Sequence, residues 1–111
     1  MNEQFKDKVI IVTGSTQGSG AETARLLASR GAKAITICGR QENKGLEVKN
    51  QIEKLGTECL YIKADLKNVD DCKKIVLETD KKFGTINSLI NVAGYTAVSY
   101  THLRAHETRW H

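Results

Sequence analysis

Short apolar runs alternate with amphipathic stretches along most of this chain. Four runs rich in apolar and β-branched residues have the length and composition of strands, at residues 9–12, 34–38, 58–64 and 88–92. Between them, apolar residues recur at helical spacing in residues 21–30, 41–55 and 68–84. Strands that alternate with helices form βαβ units, so the pattern predicts an α/β fold with a parallel sheet and right-handed crossovers.

The third predicted helix has recognisable ends. Asn68 is a predicted N-cap, Asp71 follows in the first turn, and Gly84 is suited to the C-terminal end. The apolar positions along this helix are Val69, Cys72, Val76 and Phe83. We therefore expect a well-bounded helix before the fourth strand.

A glycine-rich turn, TGSTQGSG, joins the first strand to the first helix. Such a junction suits a phosphate because glycines let the backbone approach closely and the first N–H groups of the helix point at the anion. Gly14 is expected to make the tight turn, Gly18 to admit a pyrophosphate, and Gly20 to let the helix pack on the strand. Because the lysine of a P-loop is absent, the turn predicts dinucleotide binding rather than nucleoside triphosphate hydrolysis.

The end of the second strand bears on which dinucleotide is bound. An NAD-binding unit usually has a carboxylate there for the ribose 2′-hydroxyl, but this chain has Gly39 and Arg40. Gly39 leaves room, the guanidinium of Arg40 suits a 2′-phosphate, and the hydroxyls of Ser15 and Thr16 are expected nearby. We predict NADP(H) over NAD(H); the alternative is that Arg40 is only a solvated residue after a strand.

Two further segments follow strand ends. Asp65, after the third strand, is suited to accept a hydrogen bond from an adenine amino group or to cap a turn. The fourth strand ends in Asn91, Val92, Ala93 and Gly94, small residues that are suited to a sheet edge in contact with a cofactor. Both segments are therefore candidates for the same site.

Composition narrows the class of protein. The 111 residues have no apolar run of membrane-spanning length and no apolar signal-peptide core, so we expect a cytoplasmic protein with no membrane partner. The net charge of +4 comes from lysines mixed with acidic residues, which argues against a nucleic-acid partner. Cys38, Cys59 and Cys72 form no CxxC pair and are predicted to be buried free thiols.

The glycine turn, the Ala64–Asp65–Leu66 segment (ADL) and the NVAG segment together resemble the short-chain dehydrogenase/reductase family over roughly residues 6–96. The resemblance implies a Rossmann-like, doubly wound parallel sheet that is truncated here after the fourth strand. It also implies a cofactor site in which Gly14, Gly18 and Gly20 line the pyrophosphate, Asp65 lies near adenine, and Asn91, Ala93 and Gly94 hold the cofactor and the sheet. The departures from the family pattern are Ser19 and Val92, and both are small.

By this resemblance, the parent protein is an oxidoreductase that transfers hydride between nicotinamide and a carbonyl or secondary alcohol. A small-molecule substrate and a homo-oligomer are implied for the full-length protein. The family's catalytic tyrosine, lysine and serine follow the NVAG-like segment, so we expect no catalytic residue in this chain and no turnover by it. The alternatives are a dinucleotide-binding module without chemistry and, less in keeping with the GxxxGxG spacing, an epimerase of related fold.

Residues 97–111 differ abruptly in composition from residues 1–96. Residues 98–108 resemble, codon for codon, the translation of a transposase sequencing adapter, so we expect the natural part of the dinucleotide-binding domain to be residues 1–96. Ser99, Tyr100 and Arg104 imitate catalytic spacing but have Arg where the family has Lys, and we do not predict a catalytic role for them. His102 and His106 have no third ligand, so no metal site is expected.

Overall fold

The computed structural model of the chain describes residues 4–14, 16 and 18–92. These residues form four strands and three helices in strict alternation: β1 (Val9–Thr13), α1 (Gly18–Ser29), β2 (Ala34–Gly39), α2 (Glu42–Lys54), β3 (Glu58–Lys63), α3 (Val69–Phe83) and β4 (Ser88–Asn91). All strand pairs are parallel, and the strand order is β3-β2-β1-β4. The predicted α/β fold with a parallel, Rossmann-like sheet is confirmed.

The sheet is covered on both faces. Helices α1 and α2 pack on one face over a core of Ile10, Val12, Ala24, Leu27, Ile35, Ile37, Val48 and Ile52. Helix α3 covers the other face over Ile11, Cys38, Ile62, Ala64 and Ile75. Strands β1 and β2 lie inside the sheet, and all their residues are buried except Gly39, which is half-buried, as their continuous apolar runs predict.

The helices agree with prediction in their number and differ in some details. Helix α1 begins at Gly18, three residues before the predicted start at residue 21. Helix α3 has the predicted caps: the Asn68 side chain accepts a hydrogen bond from the Asp71 N–H, and Gly84 adopts a left-handed conformation with φ 80°. Within the part of the chain described, no helix is long and apolar enough to cross a membrane.

Of the apolar positions predicted for α3, Cys72, Val76 and Phe83 are half-buried, but the fully buried residues of the helix are others. Val69 is 67 % exposed, whereas Ile75 and Thr79 are buried against the sheet. The Thr79 hydroxyl donates to the Ile75 carbonyl oxygen (2.7 Å) and pairs with the hydroxyl of Thr36 in β2 (2.8 Å). A polar side chain therefore lies at the centre of this helix–sheet contact because its hydrogen bonds are satisfied there.

Candidate functional site

The loops that follow the strands meet at the carboxyl edge of the sheet, since all four strands run in parallel. They enclose an open cleft of about 370 Å³. Its walls are formed by Gly14, Thr16, Gly18, Ser19, Gly20, Cys38, Gly39, Arg40, Ala64, Asp65, Leu66 and Val92. The glycine turn, the end of β2 and the turn after β3, which were singled out separately in the sequence, thus lie around one cavity.

Most of the predicted site residues line this cleft. Those that do are Gly14, Thr16, Gly18, Gly20, Arg40 and Asp65. Ser15, Ala93 and Gly94 lie outside the described residues, as do the whole of residues 97–111 with Ser99, Tyr100, His102, Arg104 and His106. The adapter origin of that segment stays a prediction.

Asn91 is not among the residues that form the cleft walls. It pairs in register with Thr13, and the Thr13 hydroxyl donates to the Asn91 side-chain oxygen at 2.9 Å. The same hydroxyl lies 3.4 Å from the Ile90 carbonyl oxygen. In this structure Asn91 links the carboxyl ends of β1 and β4, directly beside the cleft.

The glycine turn requires glycine for its backbone conformation. Gly14 and Gly18 have φ values of 65° and 60°, in the left-handed region that other residues adopt at a cost. A Cβ added at Gly18 would have no heavy atom within 4 Å, so no neighbouring side chain explains this glycine. The first turn of α1, which includes Ser19 and Gly20, has no acidic side chain. Gly18, Ser19 and Gly20 line the cleft, with the positive end of the helix dipole behind them.

The end of β2 brings a hydroxyl and a guanidinium together. A Cβ at Gly39 would overlap the Oγ1 and Cγ2 atoms of Thr16. The room that Gly39 was expected to leave is therefore filled by the Thr16 side chain, and a carboxylate at position 39 would displace it. Arg40 follows directly, is exposed, and makes no hydrogen bond or ion pair among the described residues.

The turn after β3 shows that Asp65 does cap a turn. Its Oδ1 accepts a hydrogen bond from the Lys67 N–H at 3.0 Å, and its own N–H donates to Asp71 Oδ2 at 2.8 Å. The Asn68 N–H closes the turn on the Asp65 carbonyl oxygen at 2.9 Å. Asp65 also lines the cleft, so the turn cap fixes the carboxylate at the cavity wall.

Cys38 is a wall residue that sequence reasoning placed only in the core. Burial raises the pKa of its thiol to about 11, and a backbone hydrogen bond from Gly14 offsets part of that increase. The thiol is thus protonated and uncharged at neutral pH. The sequence signal for its position was its place at the carboxyl end of an apolar run, one residue before Gly39.

Comparisons with known proteins agree with this architecture. The family model described as short chain dehydrogenase matches residues 8–111. Among curated proteins, the chain is 33 % identical over 99 residues to 11-beta-hydroxysteroid dehydrogenase A of Sesamum indicum, a match that covers 88 % of the chain and 28 % of that protein. The chain spans between 28 % and 38 % of the length of the curated relatives it matches.

Solved structures show the same fold with either nicotinamide dinucleotide. Glucose dehydrogenase of Caenorhabditis elegans in the apo form matches with TM-score 0.75 and 36 % identity, over 89 % of this chain and 43 % of that one. A putative dehydrogenase from Burkholderia cenocepacia with bound NADP matches with TM-score 0.75 and 28 % identity (82 % and 36 % of the chains). The NADH-dependent reductase A1-R′ complexed with NAD matches with TM-score 0.73 and 28 % identity (82 % and 38 %).

Proposed function

Since the chain belongs to the short-chain dehydrogenase family, we propose that the full-length protein is an NADP(H)-dependent oxidoreductase that acts on a carbonyl or a secondary alcohol. The observation that carries the cofactor choice is at the end of β2, where Gly39 stands in the place of a carboxylate. Thr16 fills the adjacent space and Arg40 lies exposed on the cleft wall. A 2′-phosphate has charge and acceptor oxygens that suit both side chains, whereas a bare 2′-hydroxyl needs no guanidinium.

The remaining walls of the cleft fit the other parts of the same cofactor. The backbone at Gly18 and Gly20 would hold the pyrophosphate, because the first turn of α1 offers N–H groups and no acidic side chain. Asp65 would accept a hydrogen bond from the adenine amino group through the carboxylate oxygen that Lys67 does not engage. Leu66 and Val92 supply apolar contact.

The nicotinamide, when bound, supplies the hydride chemistry. The residues of this chain would bind and orient the dinucleotide. The proton-transferring tyrosine, its lysine and the substrate-orienting serine of the family are expected in segments after residue 96 of the full-length protein. Activity, substrate and oligomeric state are therefore proposals about that longer protein, and the structures with NAD and with NADP support a nicotinamide dinucleotide as the ligand class.

Replacing Arg40 tests the cofactor assignment. In the full-length enzyme, Arg40→Ala should raise the KM for NADPH about ten- to a hundredfold, since a hydrogen bond to a charged group contributes about 1.5–3 kcal/mol. The KM for NADH should change less than about threefold, because NADH has no 2′-phosphate. Steady-state kinetics with both cofactors and a panel of carbonyl substrates measures the difference.

Arg25→Ala is the matched control. Arg25 also carries one positive charge at the surface, but it hydrogen-bonds Gln51 (2.7 Å) and does not line the cleft. Its replacement should leave both KM values unchanged. A wild-type enzyme that turns over NADH faster than NADPH would refute the assignment, and one that binds NADP⁺ without turnover of any carbonyl would favour the non-catalytic binding module.

A further inference from the structure

Tyr61, which does not line the cleft, donates a hydrogen bond to the end of β2. Tyr61 lies in β3, in register with Ile37 of β2, and its side chain is half-buried. Its hydroxyl donates a hydrogen bond of 2.7 Å to the carbonyl oxygen of Gly39. That carbonyl belongs to the peptide that joins Gly39 to Arg40, so the tyrosine acts directly on the turn that carries the guanidinium.

The ring of Tyr61 reaches this position because residue 45 is a glycine. Gly45 is buried in α2, and a Cβ there would overlap the Cδ1, Cε1 and Cζ atoms of the Tyr61 ring. Its backbone is not in the left-handed region. Alanine would be the better helix former at such a position. The packing of the tyrosine ring therefore explains this glycine.

The hydroxyl is not required for the strand pairing. The Gly39 carbonyl also accepts a hydrogen bond from the Ala64 N–H at 3.1 Å, as the parallel ladder requires. Removing the Tyr61 hydroxyl would leave that carbonyl paired, so the sheet would be kept and only the second restraint on the peptide lost. Burial, and after it the Glu42 carboxylate, raises the pKa of the Tyr61 phenol, which keeps its proton and remains a donor well above neutral pH.

We infer that Tyr61 is a positioning residue that sets the discrimination between the 2′-phosphate and the 2′-hydroxyl of the dinucleotide. It acts through the Gly39–Arg40 peptide, whose orientation sets the position of Arg40 at the cleft wall, beside Thr16. This inference rests on the proposed function, in that it requires a dinucleotide in the cleft. It extends that function to a residue that touches neither the cleft nor the cofactor.

The test is Tyr61→Phe in the full-length protein, with the dissociation constants of NADP⁺ and NAD⁺ measured by isothermal titration calorimetry. The ratio of the NADP⁺ affinity to the NAD⁺ affinity should fall at least about fivefold, because Arg40 would no longer be held in position for the 2′-phosphate. This is the size expected for loss of one hydrogen bond. The melting temperature should fall by less than about 4 °C, because the ring and the strand ladder remain. Gly45→Ala, which displaces the ring, should change the ratio in the same direction.

Thr57→Val is the matched control. The Thr57 hydroxyl also donates to a backbone carbonyl, that of Ala32 at 3.0 Å, but at the opposite end of β3 from the cleft. This variant should lower the melting temperature and leave the affinity ratio unchanged. The comparison separates a loss of stability from a loss of positioning.

The outcomes are distinct for the two proposals. A wild-type protein that prefers NAD⁺ refutes the NADP(H) assignment, yet a changed ratio in Tyr61→Phe still supports the positioning role. If Tyr61→Phe keeps the wild-type ratio within twofold, or weakens both dinucleotides equally, the positioning role is refuted. Binding of neither dinucleotide by the wild-type protein refutes both proposals.

Discussion

Helices α1 and α3 begin at the same edge of the sheet, yet their first turns are built in opposite ways. The first turn of α3 is satisfied from within the chain: Asn68 caps it, and Asp70 and Asp71 place two carboxylates at its positive end. The first turn of α1 contains Gly18, Ser19 and Gly20 and no acidic side chain. The start of α3 thus has its own carboxylates, whereas the described residues of the α1 start supply none, which is what the proposed dinucleotide site requires.

The difference shows how a repeated structural unit acquires two roles. Both turns follow a parallel strand and precede a helix, so the fold alone gives each a positive end at the cleft. In the first turn of α3, Asp71 also accepts a hydrogen bond from the Asp65 N–H, which holds Asp65 at the cleft wall. The acidic turn is held by its own hydrogen bonds, whereas in the proposed function the glycine turn presents its backbone to the dinucleotide.

The strongest test of this comparison places an α3-like charge in α1. Ser19→Asp should lower dinucleotide affinity about a hundredfold, since like charges about 4 Å apart near a protein surface repel by about 4 kcal/mol and salt screens part of this. The stability of the ligand-free protein should stay the same or rise by about 0.3–1 kcal/mol through the helix dipole. Titration calorimetry and thermal unfolding give the two values.

Ser19→Asn is its control, because asparagine has the size of aspartate without the charge. Its affinity should stay within about threefold of wild type. If Ser19→Asp binds the dinucleotide as well as Ser19→Asn does, the first turn of α1 does not face the phosphates.

Alkaline pH tests the burial of two cysteines in the core, Cys38 and Cys59, without altering α1. Burial raises the pKa of Cys38 from 9.0 to about 11 and that of Cys59 to about 12. In the unfolded chain each thiol loses its proton near pH 9, whereas in the folded chain it keeps the proton until the pH approaches 11 or 12. The contribution of the two protonated thiols to the free energy of unfolding is therefore complete below pH 9 and is lost as the pH rises toward 11 and 12. At pH 10 the ionisation of each thiol in the unfolded chain should lower the free energy of unfolding by about 1.4 kcal/mol, relative to its value well below pH 9.

Urea unfolding between pH 8 and pH 10.5 measures this slope. The double variant Cys38→Ala/Cys59→Ala should show a flatter pH dependence than wild type, although its stability at pH 8 is lower. An unchanged slope in the double variant would mean that other groups cause the alkaline loss.

The smallest expected effect is at the start of α3. Asn68→Ala should lower the free energy of unfolding by about 1 kcal/mol, the usual cost of a lost N-cap. Dinucleotide affinity should change less than about threefold, because this helix start is satisfied internally. Asn68→Asp keeps an acceptor oxygen and should retain most of the stability; a large loss of affinity in Asn68→Ala alone would contradict the division of roles.

The fold was predictable from the sequence because its signals are local. Buried parallel strands need continuous apolar runs, and α3 carries both of its caps in sequence, so the predicted and observed bounds agree within one or two residues for most elements. The start of α1 was placed three residues late, since glycine and serine are weak helix formers and the turn geometry decides there. Val69 has helical spacing to its apolar neighbours but lies beyond the buried contact of α3.

The candidate site was predictable only in part. The glycines, Arg40 and Asp65 stand at strand ends, and a parallel sheet necessarily brings strand ends together. The bond from Tyr61 to Gly39 depends on the β2–β3 register and on how α2 packs, neither of which is encoded locally. Gly45, a glycine inside an otherwise regular helix, was the one sequence signal of that close packing.

The order of the strands also determines when, during synthesis, both edges of β1 can be paired. β1 is made first but lies between β2 and β4, and Asn87 pairs with Val9 through both its side chain and its backbone. During synthesis the buried β1 sequence VIIVT therefore waits, with one edge unpaired, until residues near 90 have left the ribosome. Such a long-range pairing slows folding and leaves an apolar strand edge open to other chains in the meantime. A nascent chain that stalls between β3 and β4 therefore keeps one edge of β1 open to pairing with other chains.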